Sequence, residues 1–175
     1  ILIPKEIPDK HQRIAEVVRR KYGLHVLRFK KISDIVRQGY GHKLFRLLNI
    51  TYADLYGFSE LTEEMIAYYI KKYVPLLRLE LVTLIADESG ELVAFGVALP
   101  SLSRAMQKAR GRMFPLGACH LLRALNSNKA EVCDLMLIAA HPTAQNLGAA
   151  ALLFTEMIPL KAVMLLQNSP TSKQT

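Results

Sequence analysis

Residues 79–100, LELVTLIADESGELVAFGVALP, set two apolar, β-branched runs on either side of a short polar turn that contains Gly90. Two such runs so joined read as a β-hairpin, since each strand can satisfy its backbone on the other. The chain is thereby committed to an antiparallel element near its middle, and the remaining segments have to be read as its neighbours.

Before the hairpin, Pro8 and Asp9 open a helical stretch to about Tyr22. Asp9 and Gln12 are spaced as a capping box, and Ile14, Val17 and Val18 lie on one side. Gly23 stops it. LHVLRFK (24–30) reads as a first strand. Leu44, Leu47, Leu48, Thr51 and Leu55 repeat at helical spacing from about Gly41 to Tyr56. Thr62 then caps a second helix that carries Met65, Ile66, Tyr69, Ile70 and Tyr73 to Val74, where Pro75 ends it. Beyond the hairpin comes a basic, helix-prone insertion from Ser101 to about Asn128. EVCDLMLIAA (131–140) is a further strand, Gln145 to Ile158 a helix that Pro159 closes, and AVMLLQN (162–168) a last strand. The order is strand, helix, helix, strand, strand, insertion, strand, helix, strand.

The 175 residues, 51% hydrophobic and 22% charged, suit one globular domain with a core of its own. The formal charge of +8 is crowded into Lys10 to Lys31 and into Arg104, Lys108, Arg110 and Arg112. Such groups attract phosphates or acidic partners, and they also serve as solvated helix faces. Cys119 and Cys133 are too few for a disulfide framework, so a reducing, cytoplasmic setting is expected. No apolar run reaches the roughly 20 residues of a membrane span, and no membrane partner is expected. The start at Ile1 without a methionine suggests a fragment or a processed form.

Residues 141–154, HPTAQNLGAAALLF, form the junction between the fourth strand and the following helix. The first N–H groups of a helix lack intrahelical partners and favour an anion. Gly148 with Ala149, Ala150 and Ala151 would let a phosphate approach the backbone, although the same small residues serve close packing of a helix on a sheet. Cys133 fits a small buried hydrophobe better than a nucleophile, and His120 and His141 have no partner at metal-ligand spacing, so no metal is expected. Neither a P-loop nor a G-x-G-x-x-G is present, which argues against a nucleotide-binding α/β protein.

Gln145, Asn146, Leu147, Gly148, Ala149 and Ala150 resemble the Q/R-x-x-G-x-G/A signature of the GNAT superfamily of N-acetyltransferases, and the element order from about 24 to 168 is similar to that family's core. The resemblance implies an α/β (α+β) fold with a mixed, mainly antiparallel central sheet and helices on both faces. The helical insertion would lie between strands 3 and 4. Residues 1–23 would be an N-terminal helical extension and 24–175 the core, an incomplete member that stops before the family's last helix and strands.

The resemblance also implies acetyl-CoA or another acyl-CoA as cosubstrate and an amine as acceptor. The pyrophosphate would lie on backbone amides from Gln145 to Ala150, and the pantetheine arm along Leu137, Ile138 and Ala140. Asp134 is the candidate general base for acyl transfer, and Tyr52, Tyr56 and Tyr69, together with Tyr68, are candidates for the acceptor pocket. Asp134 could also sit solvated or paired at the strand's entrance. The alternative is a catalytically inactive module of the same fold that contacts nucleic acid or an acidic protein through its basic helices.

Overall fold

The computed structural model describes residues 9–101 and 133–166. Helix α1 (Asp9–Tyr22) leads into a short strand β1 (His25–Val26), followed by helices α2 (Ile32–Arg37), α3 (Tyr40–Tyr52) and α4 (Glu63–Tyr73). Two 3₁₀ turns, Val74–Leu76 and Leu79–Leu81, deliver the chain to β2 (Val82–Ala86) and β3 (Leu92–Pro100). Strand β4 (Cys133–Ala140), a one-turn helix α5 (Pro142–Gln145) and the long helix α6 (Ala149–Leu166) complete the described chain. The strands form one antiparallel sheet in the order β1-β2-β3-β4, so the fold is a mixed α+β arrangement.

Successive strand residues point to opposite faces, and the two faces carry separate cores. Ile85 and Ala94 join Ala15 and Val18 of α1 with Leu152, Leu153 and Met157 of α6. On the other face, Leu84 and Phe95 meet Ile35 of α2 and Leu44, Leu47 and Leu48 of α3. Helix α1 packs on the sheet: Ala15 and Val18 are buried against α6 in the same core.

The hairpin lies where expected, although its first strand begins at Val82 because Leu79–Leu81 winds as a 3₁₀ turn. The Asp87 carboxylate organises the turn by accepting from the Ser89 hydroxyl at 2.6 Å, the Ser89 amide at 2.9 Å and the Glu91 amide at 3.0 Å, the usual reason for aspartate in a tight turn. Helix α4 starts as the sequence indicates, with the Thr62 hydroxyl accepting from the Met65 amide.

Four expectations need correction. The first strand is two residues, not seven: His25 and Val26 pair with Ala86 and Ile85, and the Leu27 amide adds one bond to the Leu84 carbonyl at 2.9 Å. The chain then leaves the sheet as Phe29 packs edge-on against the Tyr40 ring. Helix α2 stands where the sequence pattern marks no element. It is short, begins with the Asp34 carboxylate accepting from the Lys31 amide, and buries Ile35 alone, so it shows no helical stripe.

Pro159 does not close the last helix, and residues 162–166 are helical rather than the start of a strand. A proline inside a helix costs about 3 kcal/mol, but α6 is rich in Ala, Leu and Met, strong helix formers, and Leu152, Leu153 and Met157 anchor it in the core. At the other end, α6 begins at Ala149 instead of Gln145, because a tight turn at Gly148 separates it from α5. The expected basic insertion, with Cys119 and His120, lies outside the described residues, as do 167 and 168.

Candidate functional site

Among the described strands β4 lies at one end of the sheet, with no described strand on its far side. The His141 amide donates to the Val93 carbonyl at 2.8 Å. In an antiparallel ladder the residues that exchange hydrogen bonds alternate with residues whose N–H and C=O face away. His141, Ala139 and Leu137 therefore bond toward β3, and Ala140 and Ile138, opposite Ala94 and Gly96, turn both backbone groups outward.

Two side chains cap the outward carbonyls. The Tyr52 hydroxyl, at the end of α3, donates to the Ile138 carbonyl at 2.9 Å, and Gln145 Nε2 donates to the Ala140 carbonyl at 2.7 Å. The Tyr52 ring is steadied by an edge-on contact with Phe58, with centroids 5.9 Å apart. The amides of Ile138 and Ala140 have no acceptor among the described residues. They stand two residues apart, about 7 Å along the strand.

Below these residues the ladder shifts register. Val97 faces Leu137 while Ala98 faces Leu135, so Met136 is an extra residue, a β-bulge. Bulges re-aim the chain and occur often beside functional sites. Met136 is 61% exposed and Leu135 is exposed beside it.

Of the candidate residues, Leu137 packs into the core beneath α3, whereas Ile138 and Ala140 pack toward α1 and α6. Asp134 lies opposite Leu99 near the start of β4 with its side chain exposed, not enclosed by the apolar strand. Tyr52 alone of the tyrosines reaches this edge. Tyr56 is fully exposed after α3, and Tyr69 is stacked among Phe45, Tyr68 and Tyr73 on α4.

The signature turn is largely self-satisfied. The Leu147 amide bonds the Ala144 carbonyl and the Gly148 amide bonds the Gln145 carbonyl, both at 3.1 Å. His141 caps α5 through Nδ1, 2.7 Å from the Thr143 hydroxyl, which accounts for its place in the chain without any ligand. Gly148 adopts φ +85°, which L side chains rarely take, and a Cβ there would lie 3.0 Å from Val18 Cγ2. The space on the Cβ side of this glycine is thus filled by α1. Ala149 is fully buried, Ala150 is half-buried, and Gln145 and Asn146 are exposed.

At the opposite edge of the sheet an open cleft of about 420 Å³ lies beside β1, lined by Arg19, His25, Arg28 and Glu88 among others. Both arginines are already engaged by Glu156 of α6, so the cleft offers no free excess of positive charge. Among the described residues no group of three or more His, Cys, Asp or Glu is placed to hold a metal, and no helix is long and apolar enough to cross a membrane.

The bulge at Met136 and the caps from Tyr52 and Gln145 were invisible in the sequence. They depend on register across the sheet and on a contact spanning 86 positions; a glutamine five residues beyond the strand's last carbonyl is the one local hint. Neither a protein-family model, nor a curated protein, nor a solved structure matches this chain.

Proposed function

We propose that the chain is an acyl-CoA-dependent N-acyltransferase of the GNAT type, which moves an acetyl or other acyl group from acyl-CoA to an amine. The observation that carries the reading is the outer edge of β4, where the Ile138 and Ala140 amides face outward just above the Met136 bulge. An extended arm bearing carbonyl oxygens finds donors there in the manner of an added strand. The order of helices, hairpin, edge strand, tight turn and long helix supports the same reading.

Fit to the phosphate end is narrower than the motif suggested. Most amides of the turn are spent internally, so the diphosphate would rely on the Ala150 amide at the start of α6 and on the exposed Gln145 and Asn146. In the reaction the amine nitrogen attacks the thioester carbonyl carbon. A C–N bond forms, the C–S bond breaks, and the thiolate takes a proton from solvent. Outward amides beside the bulge would receive the developing oxyanion. Asp134, exposed two residues before Met136, would take the proton lost by the amine.

Calorimetric titration with acetyl-CoA tests the proposal. Binding is expected for the parent chain and its loss for Ala140→Pro, which removes an outward amide while sparing the bonds to β3. No heat and no thermal protection at millimolar CoA would overturn the proposal. A second reading, binding to a phosphate backbone, draws on the exposed Arg13, Arg20 and Lys21 of α1. It requires affinity for duplex DNA that falls steeply with added salt, and absence of binding at low salt removes it.

A further inference from the structure

An ordinary sheet edge offers an N–H and a C=O from every outward residue, which is why a further strand can add to it. The edge of β4 departs from that pattern. Both outward carbonyls are taken, Ile138 by the Tyr52 hydroxyl at 2.9 Å and Ala140 by Gln145 Nε2 at 2.7 Å, while the amides of the same residues keep no acceptor among the described residues. We infer that Tyr52 and Gln145 are specificity-determining residues that make this edge a donor-only strip, one that receives the carbonyl oxygens of an extended acyl-thioester arm and refuses a β-strand. The identity of the ligand rests on the acyl-CoA reading; the refusal of a strand does not.

The two caps come from opposite directions. Tyr52 arrives from α3, 86 positions away and steadied by Phe58, and Gln145 folds back from the turn that leaves the strand. A strand laid along β4 would need both outward carbonyls as acceptors for its own amides, and burying those amides without partners costs about 1–3 kcal/mol each. A ligand carbonyl has no donor to satisfy, so the caps cost it nothing. The caps also fill the carbonyls to which the amides of a second chain would otherwise donate. Such protection matters here, because Leu135 and Met136 expose apolar side chains on the same strand, and an uncapped apolar edge is a template for association.

The experiment compares the full chain with Tyr52→Phe, Gln145→Leu and the double variant, by sedimentation equilibrium and by acetyl-CoA titration. Gln145 is exposed, so its replacement reads the cap without touching the core; Phe keeps the ring contact of Tyr52. The double variant is expected to show an average mass that rises more steeply with concentration than the parent's, with the Ile138 and Ala140 amides slowed in hydrogen exchange as it associates. Acetyl-CoA affinity is expected to stay close to the parent's in dilute Tyr52→Phe, because the cap bonds a carbonyl of the strand and the ligand its amides. A mass profile in the double variant identical to the parent's overturns the inference, whether or not acetyl-CoA binds. If the double variant associates but the parent binds no acetyl-CoA, the acyl-CoA reading falls and the capped edge stands.

Discussion

Gly96 lies in the middle of β3, between Thr83 of β2 and Ile138 of β4, with Met157 of α6 directly over its Cα. A Cβ added there would overlap Met157 Sδ, with Cε at 2.9 Å and Leu153 Cδ1 at 3.5 Å. Both neighbours belong to the core, Leu153 fully buried and Met157 4% exposed, so the new methyl has little room. Overpacking of this kind costs about 1–3 kcal/mol, and alanine in place of a strand glycine returns about 0.5–1 kcal/mol. The flexible thioether can yield part of the way. Gly96→Ala should therefore destabilise by about 1–2 kcal/mol in urea denaturation, a fall in Tm of roughly 2–8 °C for a chain of this size. Met157→Ala alone should cost about 2–5 kcal/mol as a cavity, and the double variant should cost less than the sum, because the added methyl occupies part of the space vacated. A Gly96→Ala protein as stable as the parent, or strict additivity in the double variant, would refute the close approach of α6 to β3.

Three further outcomes follow from local geometry. Glu156→Ala frees Arg19 and Arg28, and since both arginines are largely exposed the loss is about 1 kcal/mol; hydrogen exchange should quicken in α1 and leave β3 unchanged. Thr62→Ala removes the hydroxyl that accepts from the Met65 amide and should cost about 1 kcal/mol by thermal unfolding, with Thr62→Ser restoring most of it. The Ser89 hydroxyl, and after it the Glu91 and Ser89 amides and Lys43, hold the Asp87 carboxyl below its ordinary value of 3.8. A depressed folded value means that Asp87 adds stability above 3.8 and loses it as pH falls through the lower folded value, so the difference in stability between the parent and Asp87→Asn should shrink through that acid window.

The elements that were legible are those whose signals are local. In the hairpin the Asp87 turn and the two apolar runs lie within one short segment, and α4 carries its own Thr62 cap and its buried Ile66 and Ile70. What escaped depends on partners far along the chain. The first strand ends where Phe29 turns off the sheet to pack on Tyr40 of α3, and α6 runs on past Pro159 from turns that Leu152, Leu153 and Met157 hold in the core. Tyr52 could be singled out as a tyrosine on an early helix, but its role comes from a carbonyl on β4 that only the folded sheet brings within reach. The Met136 bulge is likewise a relation between two strands and belongs to neither sequence alone.

The turn at Gly148 separates the two ways in which a sequence can suggest a binding site. Its φ of +85° and its contact with Val18 would demand glycine in a chain with no phosphate to bind. The donors on β4, by contrast, belong to Ile138 and Ala140 through the parity of the ladder, and no side chain announces them. The two positions should therefore respond in opposite ways. Gly148→Ala strains the backbone and presses on α1, so it should lower stability by about 1 kcal/mol or more while the folded protein keeps the parent's affinity for acetyl-CoA. Ala140→Pro should keep the bonds to β3 and lose that affinity. If Gly148→Ala abolished binding in protein shown to be folded, the glycine itself would be the anion contact and the weight placed on the β4 edge would be misplaced.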